Sequence, residues 1–246
     1  MPTAALLTLV LAAAALLHGM VGIGVTLIPT AILAMSMDMQ QAIVLTLIPM
    51  LLINVLSLLS GGPLWAVLRR YSVLAVCSVI GSLIGVKLLL WLPQAWLQLG
   101  LAAVMALYVL TAWRQVRLIL PKHPAVGALF GLAGGIIGGA TNAMSSVLMM
   151  YLLAQSRDKD EIAQAGNLCF ALGKLAQLWM LWPLLAAMHI PAPMLIWPSL
   201  AAVAALLAGV WLRRRIPFHR FRQLSLLILS LLAVMMVYKS LTSLLM

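Results

Sequence analysis

Acidic side chains are nearly missing from this chain: four Asp and Glu stand among 246 residues, against 15 Lys and Arg. Charged residues of both signs make up only 8% and hydrophobic ones 65%, whereas soluble domains carry about 25% charged residues. That shortage excludes a water-soluble globule and indicates a polytopic membrane protein. Cysteine is scarce too. Cys77 and Cys169 both fall in apolar runs, so neither a disulfide framework nor a metal-ligand spacing is indicated, and they read as small core residues. The chain also lacks a nucleotide-binding glycine loop ahead of a helix and a nucleophile with a base at catalytic spacing. No cofactor is expected, and the chain does not read as an enzyme. Its net charge of +11 reads as basic loops facing an anionic cytoplasmic leaflet, not as a nucleic-acid surface.

What the sequence has in abundance is apolar runs, near residues 4–35, 40–60, 71–91, 96–113, 124–154, 161–182, 193–212 and 222–243. The breaks between them leave no room for a soluble domain, so residues 1–246 read as a single membrane domain. The Ala-rich start mimics a signal peptide, but it lacks a basic leader and its apolar character continues past Gly24. It reads as structure.

About 20 residues cross a bilayer core; the first and fifth runs exceed that and carry glycine clusters midway, "HGMVGIG" and "GLAGGIIGG". Ala15, Gly19 and Gly22 repeat the spacing of Gly131, Gly135 and Gly138. Small polar residues follow each cluster, Thr26 in the first and Thr141, Asn142, Ser145 and Ser146 in the second. The pattern predicts an internal repeat, about 1–118 and 119–246, joined near residues 114–124.

Loop charge sets the orientation. Arg69 and Arg70, then Arg114, Arg117 and Lys122, then Arg213, Arg214, Arg215, Arg220 and Arg222 should all face the cytoplasm. Three full crossings between the second and third clusters would push five arginines outside. If run five instead enters, breaks at its glycines and returns, two crossings remain and the conflict disappears. By symmetry run one re-enters from the opposite face. The expected fold is all-α: two inverted repeats, each a Gly-rich re-entrant or broken hairpin plus three transmembrane helices. Tight helix packing of the small-xxx-small kind is the alternative use for the glycines.

A broken helix presents unpaired N–H groups and a positive dipole end to an anion. Gly22, Gly24 and Thr26 at the first break, and Gly138, Gly139, Thr141, Asn142 and Ser145 at the second, are therefore candidate binding residues, although a lone hydroxyl in a span also back-bonds to carbonyls. Lys174 lies mid-run in "NLCFALGKLAQLW", too far from a border to snorkel easily. Asp38, Asp158, Asp160 and Glu161 all sit at run ends, so an anionic substrate is its natural counter-charge; a lysine neutralised by burial or reaching a water cavity is the alternative. Asn167 and Gln177 lie nearby along the same run, with Asn54 a rough counterpart in the first half, though amides in spans also glue helices together. His18 adjoins the first break as a candidate for a coupling proton.

"GIGVTLIPTAILA" followed by "AIVLTLIPMLLINVLSLLSGG", and later "GLAGGIIGGATNAMSSVLMMYLLA", resemble the two halves of the sulfite exporter family, TauE/SafE. The resemblance covers both repeats. It implies a multi-pass carrier of the bacterial inner membrane that moves sulfite, a sulfonate or another small sulfur-containing anion by alternating access, as an exporter. The chain departs from the pattern of many members: Val25 and Thr26 follow Gly22 and Gly24, and Ser145 and Ser146 stand where a Gly-Pro pair is common. The expected partners are a small anion and the lipid bilayer, with a homo-oligomer left open. A non-transporting membrane subunit or a membrane-embedded enzyme of sulfur metabolism is the alternative.

Overall fold

The computed structural model describes residues 4–21, 27–114, 119–212 and 218–245, and every regular element among them is helical. The order is α1 (Ala4–Val21), α2 (Leu27–Ala34), α3 (Met39–Leu59), α4 (Leu64–Trp91), α5 (Gln94–Trp113), α6 (Pro124–Thr141), α7 (Met144–Gln155), α8 (Lys159–Ala187), α9 (Ala192–Leu212) and α10 (Phe218–Leu245). Run five is divided in two, while the junction between α1 and α2 in run one lies outside the described residues. Among the described residues six helices, α3, α4, α5, α6, α8 and α9, are long and apolar enough to cross a membrane, and α10 adds an apolar stretch over Leu229–Thr242. This is a multi-pass membrane protein.

The glycines of run five do not break it. Helix α6 continues through Gly131, Gly134, Gly135, Gly138 and Gly139 and stops only at Asn142, whose φ is 64°. Asparagine is one of the few side chains that tolerate the left-handed region, and its backbone N–H donates to Gly138 O at 2.8 Å. Beyond this turn α7 folds back along α6. Met144 packs on Gly138, Leu148 on Gly134 and Tyr151 on Gly127, with the rings of Phe130 and Tyr151 5.6 Å apart. One glycine row of α6 therefore receives α7.

A second row receives α4. Gly131, Gly135 and Gly139 recur every four residues, and they meet Leu74, Ser78 and Ser82 so closely that a methyl group on any of them would collide with a backbone carbonyl. Gly81 and Gly85 of α4 make the reciprocal approach to α6. Because the paired numbers rise together, α4 and α6 run parallel. Inside a bilayer such contact works through van der Waals packing of bare backbone, since lipid supplies no hydrophobic drive between helices. The small-xxx-small use of glycine thus holds here, and asparagine makes the turn.

A second helix pair repeats this docking. Gly19 of α1 meets Leu206, Gly209 and Val210 of α9 as Gly135 meets Ser78, Gly81 and Ser82, and Gly209 meets Leu16 and Gly19 as Gly81 meets Leu132 and Gly135. Helix pairing is symmetric on exchanging α1–α5 with α6–α10: α4 with α6 and α9 with α1, α4 with α8 and α9 with α3, and the central pairs α3 with α8 and α5 with α10.

Polar ties close the two ends. At one, Lys239 Nζ donates to Ala34 O (3.0 Å) and Met35 O (2.9 Å), and Gln98 Nε2 donates to Ala34 O (3.0 Å). At the other, Arg70 near the start of α4 pairs with Glu161 at 2.6 Å and donates to Gln155 O at 3.2 Å. The hairpin of α6 and α7 therefore begins and ends beside the start of α4. Asp158 caps α8 by accepting from Asp160 N (2.9 Å), and Asp38 precedes α3, so the four acids do sit at helix ends.

Gly135→Ala drives a methyl into the Ser78 carbonyl and is expected to cost about 1–3 kcal/mol, the range for overpacking. Gly100→Ala meets open space in mid-helix and should gain up to about 1 kcal/mol from chain entropy. Thermal unfolding of the two variants in detergent checks the contrast.

Candidate functional site

Three helices converge on the turn at Asn142, and each contributes a polar side chain that is otherwise out of place in an apolar core. Asn142 Nδ2 donates to Thr30 Oγ1 of α2 at 2.8 Å and to Thr46 Oγ1 of α3 at 3.2 Å. Its Oδ1 accepts from Lys174 Nζ and from Gln177 Nε2 of α8, the latter at 3.2 Å. The carboxamide is fully used. Thr46 in turn donates to Ala42 O (2.9 Å) and Ile43 O (3.0 Å), which leaves its oxygen free to accept.

Lys174 stands in the middle of α8 and is 7% exposed. Besides Asn142 it donates to Gln177 Oε1 at 2.6 Å, one turn along the same helix. Gln177 Nε2 also reaches the carbonyls of Gly138 and Gly139, both at 3.1 Å, where α6 ends. Both acceptors of the ammonium are thus neutral amides. Among the described residues the ion pair is Arg70–Glu161, at the end of the bundle. A cation this deep without a carboxylate makes Lys174 the candidate around which a site is sought.

Asn54, Gly138, Asn142, Met144, Phe170, Gly173, Lys174 and Gln177 line one cavity of about 20 Å³, room for roughly one water molecule. Glycine at 138 and 173 leaves space that the flexible Met144 thioether enters from α7. Asn54 of α3 is fully buried, and neither Nδ2 nor Oδ1 has a hydrogen-bond partner. Buried amides are rarely left so. Helix α7 starts at this cavity; Ala143 supplies no side-chain cap, and the hydroxyls of Ser145 and Ser146 in its first turn have no partner.

Of the residues singled out in the sequence, Asn54, Gly138, Asn142 and Lys174 come together at the cavity. Gly139 joins through its carbonyl. Thr141 does not, because its hydroxyl back-bonds to Ile137 O at 2.6 Å. Asn167 donates to Ala163 O at 2.8 Å and lies off the cavity, and so does His18, which is buried in α1. Both His18 ring nitrogens lack a well-formed hydrogen bond, although the Asn167 amide is near enough to interact. Gly22, Gly24 and Thr26 lie outside the described residues. Sequence reasoning missed Thr30 and Thr46 because a threonine in a span ordinarily satisfies itself on its own helix. It also missed Met144, Phe170 and Gly173, which carry no polar signal at all.

Residues 7–236, nearly the whole chain, match the family model described as Sulfite exporter TauE/SafE. The chain has no match among curated proteins or solved structures.

Asn142→Gly keeps the left-handed turn and loses the carboxamide, whereas Asn142→Ala loses both. Each should lower the melting temperature in detergent, with Ala worse than Gly by about 1 kcal/mol, the cost of a Cβ in the left-handed region. Equal melting temperatures for the two would show that the turn carries no such demand.

Proposed function

The chain belongs to the sulfite exporter TauE/SafE family, and on that premise we propose that it is a secondary carrier that exports a small anion, such as sulfite or a sulfonate, across the bacterial inner membrane. The observation that carries this reading is the buried Lys174 ammonium, held by two neutral amides at a cavity that also contains the unpartnered Asn54. An anion entering the cavity supplies the missing counter-charge. The start of α7, with Ser145 and Ser146, adds backbone donors and a dipole aimed at the same place.

The two halves are read as inverted repeats, about 1–118 and 119–246, and the α6–α7 hairpin as re-entrant. Support comes from the equivalent docking of Gly19 with Gly209 and of Gly135 with Gly81, and from the return of the hairpin to Arg70. Alternating access then moves bundles that mix the halves. Helices α4, α7 and α8 share a core of their own around Leu74, Leu148 and Leu168, with α6 clamped to α4. Rocking of this bundle against its counterpart α9, α1, α2 and α3 opens the site to one side and then the other. His18 is the candidate carrier of a coupling proton, and a second copy of the chain is left open as a partner.

Uptake by proteoliposomes of sulfite, thiosulfate, sulfonates and small carboxylates, with and without a proton gradient, tests the function. For the best substrate, Lys174→Gln should lose about 2–5 kcal/mol of binding, tens-fold to thousands-fold in affinity, while Lys174→Arg retains part of it because charge survives as geometry changes. Wild-type affinity in Lys174→Gln with impaired Lys174→Arg would remove the anion-pairing role.

Topology is checked separately. Single cysteines replacing Lys122, ahead of α6, and Arg157, after α7, should react with a membrane-impermeant thiol reagent from the same, cytoplasmic, side. Labelling from opposite sides would mean that the hairpin crosses the membrane.

A further inference from the structure

If the cavity holds an anion, as proposed above, its free donors and acceptors specify which kind. Asn142 has none to spare: its Oδ1 accepts from Lys174 and Gln177, and its Nδ2 donates to Thr30 and Thr46. Gln177 commits its N–H donors to Gly138, Gly139 and Asn142 and accepts from Lys174, keeping a single lone pair. Lys174 has three N–H donors and uses two of them here. One remains. Asn54, 0% exposed and without a partner on either atom, contributes a whole carboxamide to the same cavity.

A carboxamide offers one acceptor oxygen and two N–H donors, and turning it over exchanges their places without changing the inventory. The hydroxyls of Ser82, Ser145 and Ser146 are buried without a partner, but these residues do not line the cavity. Met144 and Phe170 complete the lining with apolar surface. The site therefore shows a ligand one cation, several donors and one amide oxygen that needs a donor in return. A second negative charge on the ligand would be buried without a counter-charge. An anion made only of acceptors would leave the Asn54 oxygen buried, unsatisfied and facing its lone pairs.

We infer that the site selects a monoanion that itself carries a hydrogen-bond donor, a singly protonated oxyanion of the hydrogensulfite or hydrogen phosphonate class, and that Asn54 is the residue that reads the donor. Lys174 matches the charge; Asn54 matches the proton. Room for such a ligand comes from the flexible thioether end of Met144, which lies against Gly173 and swings aside while its Cβ stays on Gly138.

The test uses three tetrahedral probes on the purified full-length protein at one mildly acidic pH, with binding measured calorimetrically. Hydrogen methylphosphonate and methanesulfonate have the same shape and charge and differ by one O–H; sulfate adds a second charge. Hydrogen methylphosphonate should bind at least about tenfold tighter than methanesulfonate, because a site built to pair a donor discriminates strongly against the analogue without it. Sulfate should bind more weakly than hydrogen methylphosphonate. Asn54→Leu should bring the first two to equal affinity. Equal binding of those two by the wild-type protein, or sulfate binding as tightly as hydrogen methylphosphonate, overturns the inference while leaving the anion-carrier reading intact. Survival of the preference in Asn54→Leu removes Asn54 as the reader. Failure of all three to bind brings down both readings. The wild-type comparison decides the donor requirement by itself, whether or not the variant folds.

Discussion

The carboxamide of Asn142 joins four helices from both halves of the chain at the point where α6 reverses into α7. Its backbone makes the turn and its side chain takes the two threonines of α2 and α3 on one edge and the lysine and glutamine of α8 on the other. In a hydrocarbon setting, where an unmet polar group costs several kcal/mol, these demands reinforce one another. The turn can sit deep in the bundle because its polar atoms are occupied there, and Lys174 can sit deep because the turn offers it an oxygen. Neither would be placed as it is without the other.

The scarcity of acids gains a physical meaning from this arrangement. Asp and Glu are confined to helix ends, Asp158, Asp160 and Glu161 at the start of α8, where Arg70 pairs with Glu161, and Asp38 ahead of α3, while the interior is wired with amides and hydroxyls. A carboxylate beside Lys174 would form a permanent pair with it and compete with any incoming anion. Neutral acceptors orient the ammonium without cancelling its charge.

Much of this was legible in the sequence, and the rest was hidden for identifiable reasons. The length of run five pointed to a division, which the turn between α6 and α7 supplies, and Lys174 and Asn54 stood out as polar residues far from any border. The glycines of α6 misled, because a row spaced every four residues serves a packed helix face as well as a break, and periodicity alone does not choose. The turn fell instead on Asn142, which the sequence offered only as a hydrogen-bond donor. Thr141 and Asn167 had the right chemistry but face carbonyls of their own helix. Which neighbour Thr30 and Thr46 serve depends on how α2 and α3 meet a helix about a hundred residues away, and that is a property of packing, not of local pattern.

Exchange of partners between the halves also dictates an order of assembly. Helix α4 waits only through α5 before α6 emerges to cover its glycine face, so that pair can form while the chain is still being synthesised. Helix α1, by contrast, is separated from its partner α9 by seven other helices. Until α9 arrives, Gly19 has no backbone to meet and the buried His18 has only part of its surroundings. That face of α1 must therefore wait while the seven helices between are made, and the α1–α9 contact closes only after α4 and α6 have been able to meet.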